Sequence, residues 1–457
     1  MWPVDYARRQ PLCEWTLDTP RQSTTVAAAV GTRHRSGTDP LNMFDADVLI
    51  VGAGPVGLLS ALALAQNGAS VIVIEADSRV NDSPRAAVYF PSTLGALREL
   101  GVLDDLEKRG FRNSRLGYHV PGLDFHVMIS LEVLHGITFD YMVHAGQDVI
   151  DEIAMAHAQP LGVSVLFDHR LTALRQEAYG VVGTVETPSG VREIRAQWMI
   201  GADGARSTVR HLLGVEFEGH TWSNRFIATN VYFDFHSLGY ESANFICDPV
   251  YSGVVVLLDR RGLWRLTYQE DASHPADTFM ERLPERYAHF IPPGSKYEIQ
   301  AARPYSIHQR CAKKLRVGRV CLAGDAAHVT NPIGGLGLTT GVWTGLILSD
   351  LLAAVLKGEC DSEVLDRYSD ERRRVYWEVT SPGATENKRM LEEKDLARRR
   401  QDIEAVKAAA DNPAVARLMM GFPFKLIGDP LREGSRWRDY DRGHAARSRT
   451  VSSFIGF

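Results

Sequence analysis

Asp47 to Glu75 reads DVLIVGAGPVGLLSALALAQNGASVIVIE, and the reading of this stretch organises the rest of the chain. Val48, Leu49, Ile50 and Val51 form a short continuous apolar run, the pattern of a parallel strand covered on both faces. Gly52, Gly54 and Gly57 follow at G-x-G-x-x-G spacing, with Pro55 and Val56 between the last two. Apolar residues then recur at helical spacing through Leu58, Leu59, Leu62 and Ala65, and Gly68 is a helix stop. Val71 to Ile74 is a second strand, with Glu75 at its end. In such a unit the first glycine permits a tight turn and the second lets the backbone approach a pyrophosphate. The third lets the helix pack close to the sheet. The helix N-terminus then offers free N–H groups and a positive dipole end to the phosphates. Glu75 is placed to accept both hydroxyls of a ribose and to repel a 2′-phosphate. The stretch predicts a βαβ dinucleotide-binding unit, without separating NAD from FAD.

The 457 residues are 45% hydrophobic and 23% charged, ordinary globular values at a length that suggests two or three domains or subdomains. A net charge of −5 gives no electrostatic case for nucleic acid or an acidic membrane surface. Cys13, Cys247, Cys311, Cys321 and Cys360 show no metal-type spacing, and their scatter suggests a reduced, cytoplasmic protein. No transmembrane segment is expected, since the longest apolar candidate, Gly341 to Leu356, is broken by Asp350.

Residues 1–43 are rich in Arg, Thr, Ser and Pro and lack periodicity or the apolar core of a secretory signal. Their arginines suggest a transit peptide, but Asp5, Glu14 and Asp18 argue for a flexible extension. After Glu75, Arg85 is either a phosphate partner or a solvated loop arginine. Helices are expected at Thr93–Leu100 and Gln147–His157, and a strand at Val163–Phe167. A β-hairpin is expected from Val181–Glu186 and Val191–Ala196. A short apolar strand at Trp198–Ile200 then enters Gly201-Ala202-Asp203-Gly204-Ala205-Arg206-Ser207 and a helix, Thr208–Leu213. Asp203 there binds a ligand hydroxyl or caps a tight turn. Residues 215–305 alternate apolar and polar and predict a second, mostly antiparallel sheet able to wall a substrate pocket. A parallel-type strand, Arg319–Ala323, runs into Gly324-Asp325-Ala326-Ala327-His328 and Asn331-Pro332-Ile333-Gly334-Gly335-Leu336-Gly337. A helix follows from about Leu338 to Leu356, its N-terminus suited to negative charge. His328 is either a base or a structural histidine. From 360 onward the chain is helical and charged.

Taken in order, the three motifs resemble the FAD-dependent aromatic hydroxylases, the single-component flavoprotein monooxygenases of the para-hydroxybenzoate hydroxylase type. The resemblance covers residues 47 to about 375. It implies an α/β fold: a Rossmann-like FAD-binding domain with an inserted β-rich substrate subdomain and C-terminal helices. The expected divisions are a 1–43 extension, an FAD-binding domain of 44–214 plus 306–375, a 215–305 substrate domain and a 376–457 helical region. FAD is the implied cofactor and NAD(P)H the co-substrate. By the resemblance, Gly52, Gly54, Pro55, Val56 and Gly57 meet the FAD pyrophosphate and Glu75 its adenosine ribose. Arg85, Gln147 and Asp203 are further contacts, and Asp325 meets the ribityl and pyrophosphate region. Pro332, Gly335, Gly337 and Leu338 lie by the isoalloxazine ring. No catalytic residue is assigned.

The implied reaction is NAD(P)H- and O₂-dependent hydroxylation of a small phenolic or other electron-rich aromatic substrate, through an oxygen adduct at flavin C4a. A homodimer is compatible with it. A flavin-dependent epoxidase, Baeyer–Villiger-type oxygenase or oxidative decarboxylase, and more distantly an escort-type binding protein, are the alternatives. Asn331 stands where the family loop often has a first proline. Leu336 replaces a common Gln, and Thr339 and Thr344 replace a common Asn and Asp.

Overall fold

In the computed structural model, which describes residues 44–80 and 87–438, β1 (Ala46–Val51) passes through Gly52 into α1 (Pro55–Gln66). The chain returns as β2 (Val71–Ile74), parallel to β1. Val48, Leu49 and Ile50 have no exposed surface, because helices and strands cover both faces of this sheet. The later elements that matter here are β3 (Arg115–Val120), α2 (Gln147–Ala158), β4 (Ser164–Leu166) and β5 (Gly190–Gly201). They continue with β6 (Phe217–Tyr232), β7 (Leu263–Asp271), β8 (Glu298–Ala312) and β9 (Val320–Leu322). The helices α3 (Leu336–Leu356) and α4 (Ser381–Glu392) follow.

In the first sheet, β9, β5, β1, β2 and β4 are parallel neighbours in that order. The hairpin expected at 181–196 is present, but its second arm does not stop there. Residues 190–196 of β5 pair antiparallel with Val181–Thr187, while residues 196–201 pair parallel with β1. The separate strand expected at Trp198–Ile200 is therefore the far half of β5. Polar Gln197, hydrogen-bonded to Asp47 at 2.7 Å, breaks the apolar pattern without breaking the strand.

The second sheet runs His328–Val329, β8, β6, β7, Gly253–Leu257, Ala243–Ile246, β3 and Phe125–Ser130. It is wider than the expected 215–305 segment. The β3 hairpin joins its far edge through a parallel pairing with Ala243–Ile246, and β8 continues to Ala312. Nothing local to 115–130 says which sheet it will join, because a short hairpin looks the same on either. On one face of this sheet, Ile227, Val231, Trp264 and Leu266 pack against the helix Phe279–Tyr287. The opposite face meets the first half of the fold. Tyr232 packs near Ala87, Ala243 and Val256 near Phe90 and Met142, and Phe226 and Tyr305 near Ile333.

By length and composition α3 would cross a membrane, Asp350 notwithstanding, but 89% of its apolar window is buried inside the fold. Its Gly341 and Gly345 lie against Val56 and Ser60 of α1, where a Cβ on Gly345 would come within 2.6 Å of the Ser60 hydroxyl. The two helices cross at small residues, and α3 is spent as a core helix.

Candidate cofactor and substrate site

The glycines at the start of α1 divide into those the fold requires and one it does not. Gly52 has φ +107°, and a Cβ there would lie 2.4 Å from the Ala202 carbonyl oxygen. A Cβ on Gly57 would lie 2.0 Å from the Gly52 carbonyl oxygen. At Gly54, by contrast, no atom stands within 4 Å of that position. Gly54 is the N-cap residue, in extended conformation and with no capping side chain. No protein atom therefore blocks an approach to the first turn of α1, which is compatible with a pyrophosphate seat. Glu75 holds the rim: its Oε2 accepts the Ala53 N–H at 2.8 Å and its Oε1 the Asp77 N–H at 3.0 Å. Those bonds aim the half-buried carboxylate across the glycine turn, and the residues present fit a dinucleotide.

The second motif buttresses that turn. Asp203 Oδ1 accepts the Ser207 hydroxyl at 2.6 Å and Oδ2 accepts the Val209 N–H at 3.0 Å, while Ser207 caps the helix Thr208–Leu212. Burial raises the Asp203 carboxyl pKa against those hydrogen bonds. Its side chain serves the turn, and its Cα lies against Gly52. The arginine that links motifs is Arg210, in the helix after the second motif. Arg210 donates to the Ala205 and Ala326 carbonyls at 2.9 and 3.0 Å and lies over the Phe217 ring.

The third motif closes against α1. Gly324 has φ +60°, and a Cβ there would press on Val56. Asp325 is exposed on the following turn, while His328 is buried. Burial and the neighbouring Arg372 hold the His328 imidazole neutral, its pKa lowered to about 3. Its Nε2 pairs with Thr344 Oγ1 at 2.8 Å, and its ring stacks on Tyr376. This is a structural histidine. Pro332 is exposed, Gly335 takes the left-handed N-cap of α3 at φ +65°, and Gly337 and Leu338 lie in that helix's first turn. Gln147 is buried in the first turn of α2, and Arg85 lies outside the described residues. The structure thus gathers the Gly52–Gly57 turn, Asp203 and Gly324–Asp325 around the N-terminus of α1.

A family model described as "FAD binding domain" matches residues 45–382. The chain is 42% identical to the para-nitrophenol 4-monooxygenase of Pseudomonas sp. (strain WBC-3), over 83% of this chain and 96% of that one. It is 39% identical to the 6-hydroxy-3-succinoylpyridine 3-monooxygenase HspB of Pseudomonas putida (strain DSM 28022 / S16), over 75% and 88%. The crystal structure of p-nitrophenol 4-monooxygenase PnpA from Pseudomonas putida DLL-E4 superposes with a TM-score of 0.81 at 41% identity, covering 84% of this chain and 98% of that one. The chain belongs to the FAD-dependent aromatic hydroxylase family. It is a flavoprotein monooxygenase that spends NAD(P)H and O₂ on a phenolic or other electron-rich aromatic ring.

In this monooxygenase the inward face of the second sheet carries groups that the sequence reading did not single out. Arg265 donates from Nε and Nη2 to Asn230 Oδ1 at 3.2 and 3.1 Å and makes no ion pair among the described residues. Burial lowers its pKa to about 10 and raises that of the Tyr305 phenol. Both side chains nevertheless keep some accessible surface. Both lie on the sheet face opposite the Phe279–Tyr287 helix, and both are half-buried. The available signal was the strand period: Arg265 sits between buried Trp264 and Leu266, so it points to the opposite face.

Proposed function

We propose that the enzyme oxygenates a ring carbon para to a hydroxyl, that this carbon already bears a substituent, and that the substituent is expelled. The names of the two similar monooxygenases support this. In para-nitrophenol the 4-position carries the nitro group, and in 6-hydroxy-3-succinoylpyridine the 3-position carries the succinoyl group. Each of those carbons lies para to the ring hydroxyl. For a nitrophenol the balance is one NAD(P)H and one O₂ per turnover. One oxygen atom joins the ring, the other leaves as water, the nitro group departs as nitrite with the bonding pair, and the ring is left as a quinone.

Bound FAD supplies the two-electron reduction and the activation of O₂. The protein supplies place and charge. In this proposal Gly52, Gly54, Pro55, Val56 and Gly57 seat the pyrophosphate, Glu75 takes the ribose, and Asp325 and Gln147 hold further parts of the cofactor. Asp203 contributes by bracing the turn. The Pro332–Leu338 loop and the α3 N-terminus stand by the ring, where the dipole stabilises negative charge. Residues 44–214 and 306–375, with the β3 hairpin lent to the second sheet, act as the cofactor half. The inward sheet face acts as the substrate wall. The observation that carries the substrate reading is Arg265, a half-buried cation on the inward sheet face whose hydrogen bonds among the described residues go to the Asn230 amide oxygen. It suits a phenolate, the form in which the para carbon is most electron-rich. The four described cysteines are unpaired, which supports a reducing, cytoplasmic setting.

The test is to supply 4-nitrophenol with NADH or NADPH in air and follow nitrite. Nitrite released in step with NAD(P)H consumption supports the proposal. A product heavier by one oxygen with the nitro group retained overturns expulsion while leaving the monooxygenase class intact.

A further inference from the structure

The loop that carries Pro332 to Leu338 has a backbone bond of its own, from the Gly335 N–H to the Pro332 carbonyl at 3.0 Å, and its start is tied to the rest of the fold through buried side-chain amides. Gln309 projects from β8, is 1% exposed, and uses both ends of its amide. Its Nε2 donates to the Ser381 carbonyl at 2.8 Å, the Ser381 hydroxyl at 2.9 Å and the Thr385 hydroxyl at 3.1 Å, all in the first turns of α4. Its Oε1 accepts from the Thr330 hydroxyl at 3.2 Å, the Asn331 N–H at 3.3 Å and Asn331 Nδ2 at 3.0 Å. Asn331 is itself fully buried. Its Nδ2 also reaches the Ala384 carbonyl at 2.9 Å, and its Oδ1 accepts the Ile333 N–H at 3.1 Å.

Every further contact of the loop with the C-terminal helices points the same way. Gly334, at φ +86°, lies so close to α4 that a Cβ would fall 2.1 Å from Asn387 Nδ2. Leu336 is buried with Ala384 and Leu426. A π turn, Tyr376–Thr380, leads into α4, and from it the Tyr376 hydroxyl donates to the Val329 carbonyl at 2.8 Å. Such a turn shifts the helical register by one residue and is common at functional sites. Asn331 and Leu336, two positions where the loop leaves the family pattern, are thus both spent on contacts with α4.

We infer that Gln309 and Asn331 are positioning residues that fix the cofactor-side loop to α4, so that the C-terminal helices set how faithfully NAD(P)H consumption is coupled to oxygen transfer onto the aromatic ring. This rests on the proposed placement of the loop beside the flavin. The buried network is saturated, so it has one low-energy arrangement. Losing Gln309 removes the tie between β8, the loop and α4, and losing the Asn331 side chain removes the loop's bonds to Gln309 Oε1 and the Ala384 carbonyl, so either loss loosens the loop. A loop displaced by a fraction of an ångström still binds a cofactor held mainly by the Gly52–Gly57 turn. What it loses is the spacing between ring and substrate, and NAD(P)H then reduces O₂ to peroxide instead of oxygenating the substrate.

The experiment uses the full-length holoenzyme and three variants: Asn331→Ala, Gln309→Leu and the double variant. Ser381→Ala, which removes one hydroxyl at the α4 end, is the mild control. Three quantities are read: flavin absorbance per chain, FAD affinity, and product formed against peroxide formed per NAD(P)H, with 4-nitrophenol and a panel of phenols. Flavin content and affinity should stay within about threefold, while product per NAD(P)H falls about tenfold, the scale of a small misplacement near the chemistry. The double variant should be no worse than the worse single, because one unit is broken either way. Ser381→Ala should show a smaller fall of the same kind. Unchanged coupling in Asn331→Ala overturns the inference, as does loss of flavin in step with loss of coupling. If the first three variants fail to fold, unchanged coupling in Ser381→Ala overturns it. A parent enzyme without flavin bands would sink the cofactor placement instead, a separate and recognisable failure.

Discussion

Replacing Gly54 by alanine should separate folding from cofactor binding, because no protein atom stands where the methyl group would go. Gly54 has φ −81° and ψ 179°, which alanine adopts freely, and nothing lies within 4 Å of the new Cβ. Alanine is a poorer N-cap than glycine by roughly 0.5–1 kcal/mol. The reduced freedom of the unfolded chain returns about 0.4–1 kcal/mol. The two nearly cancel, and the melting temperature of the apoprotein should move by no more than about 2 °C. The methyl group occupies the approach of the pyrophosphate to the α1 N-terminus. Losing one or two hydrogen bonds to a charged group costs about 3 kcal/mol, or roughly a hundredfold in FAD affinity. Gly57→Ala should behave in the opposite way. Its Cβ must displace the Gly52 carbonyl, a backbone atom, and should destabilise even the apoprotein by about 3 kcal/mol. Thermal melts of apoprotein, followed by FAD titration monitored by flavin fluorescence, read both. A Gly54→Ala protein that binds FAD within threefold of the parent refutes the assignment of that open space to the pyrophosphate.

The pH response of stability follows from two buried histidines. Burial lowers the pKa of His328 to about 3 and that of His144 to about 4, against about 6.5 in an unfolded chain. The unfolded state therefore binds more protons between those values. Their contribution is fully present above about pH 6.5 and is lost as pH falls toward the folded values. Chemical denaturation should show stability declining from pH 7 to pH 4.5, and His328→Asn should flatten the slope; an unaltered slope would show that His328 does not drive it. Arg372 is fully buried, with Nη1 on the Ile427 carbonyl at 2.6 Å, Nη2 on the Leu426 carbonyl at 3.0 Å and Nε on the Thr344 hydroxyl at 3.2 Å. Arg372→Met should cost about 3 kcal/mol through the carbonyls left without donors and make the 422–427 segment an early site of proteolysis. A variant as stable and as protease-resistant as the parent would contradict that role.

The βαβ unit could be read because each of its demands is local: a strand run, three glycines at fixed spacing, a helical period and an acid. The turn-cap alternative for Asp203 was legible for the same reason, since its partners Ser207 and Val209 are close in sequence. What escaped the sequence reading depends on distant partners. The β3 hairpin joins the second sheet through a register with residues 244–246 that no local pattern encodes. Arg210 was overlooked because its partners, Ala205 and Ala326, are carbonyls with no residue signature. Asn331 looked like a missing proline, and only Gln309, 22 positions earlier, shows what the amide does. Thr344 likewise read as a lost acid. It is the hydroxyl that His328 and Arg372 share.

The strand order also bears on how the chain is made. β5 lies between β1 and β9, yet residue 201 ends one strand and residue 320 begins its neighbour. As the nascent chain leaves the ribosome, β1, β2 and β5 can assemble early, while the outer edge of β5 waits for the whole of β6, β7 and β8 to be synthesised. Through that interval the cofactor half carries a bare, apolar parallel edge, Met199 to Gly201, of the kind that templates wrong pairings. Slowing synthesis between residues 201 and 320 is expected to lengthen the time for which that edge lacks its native partner.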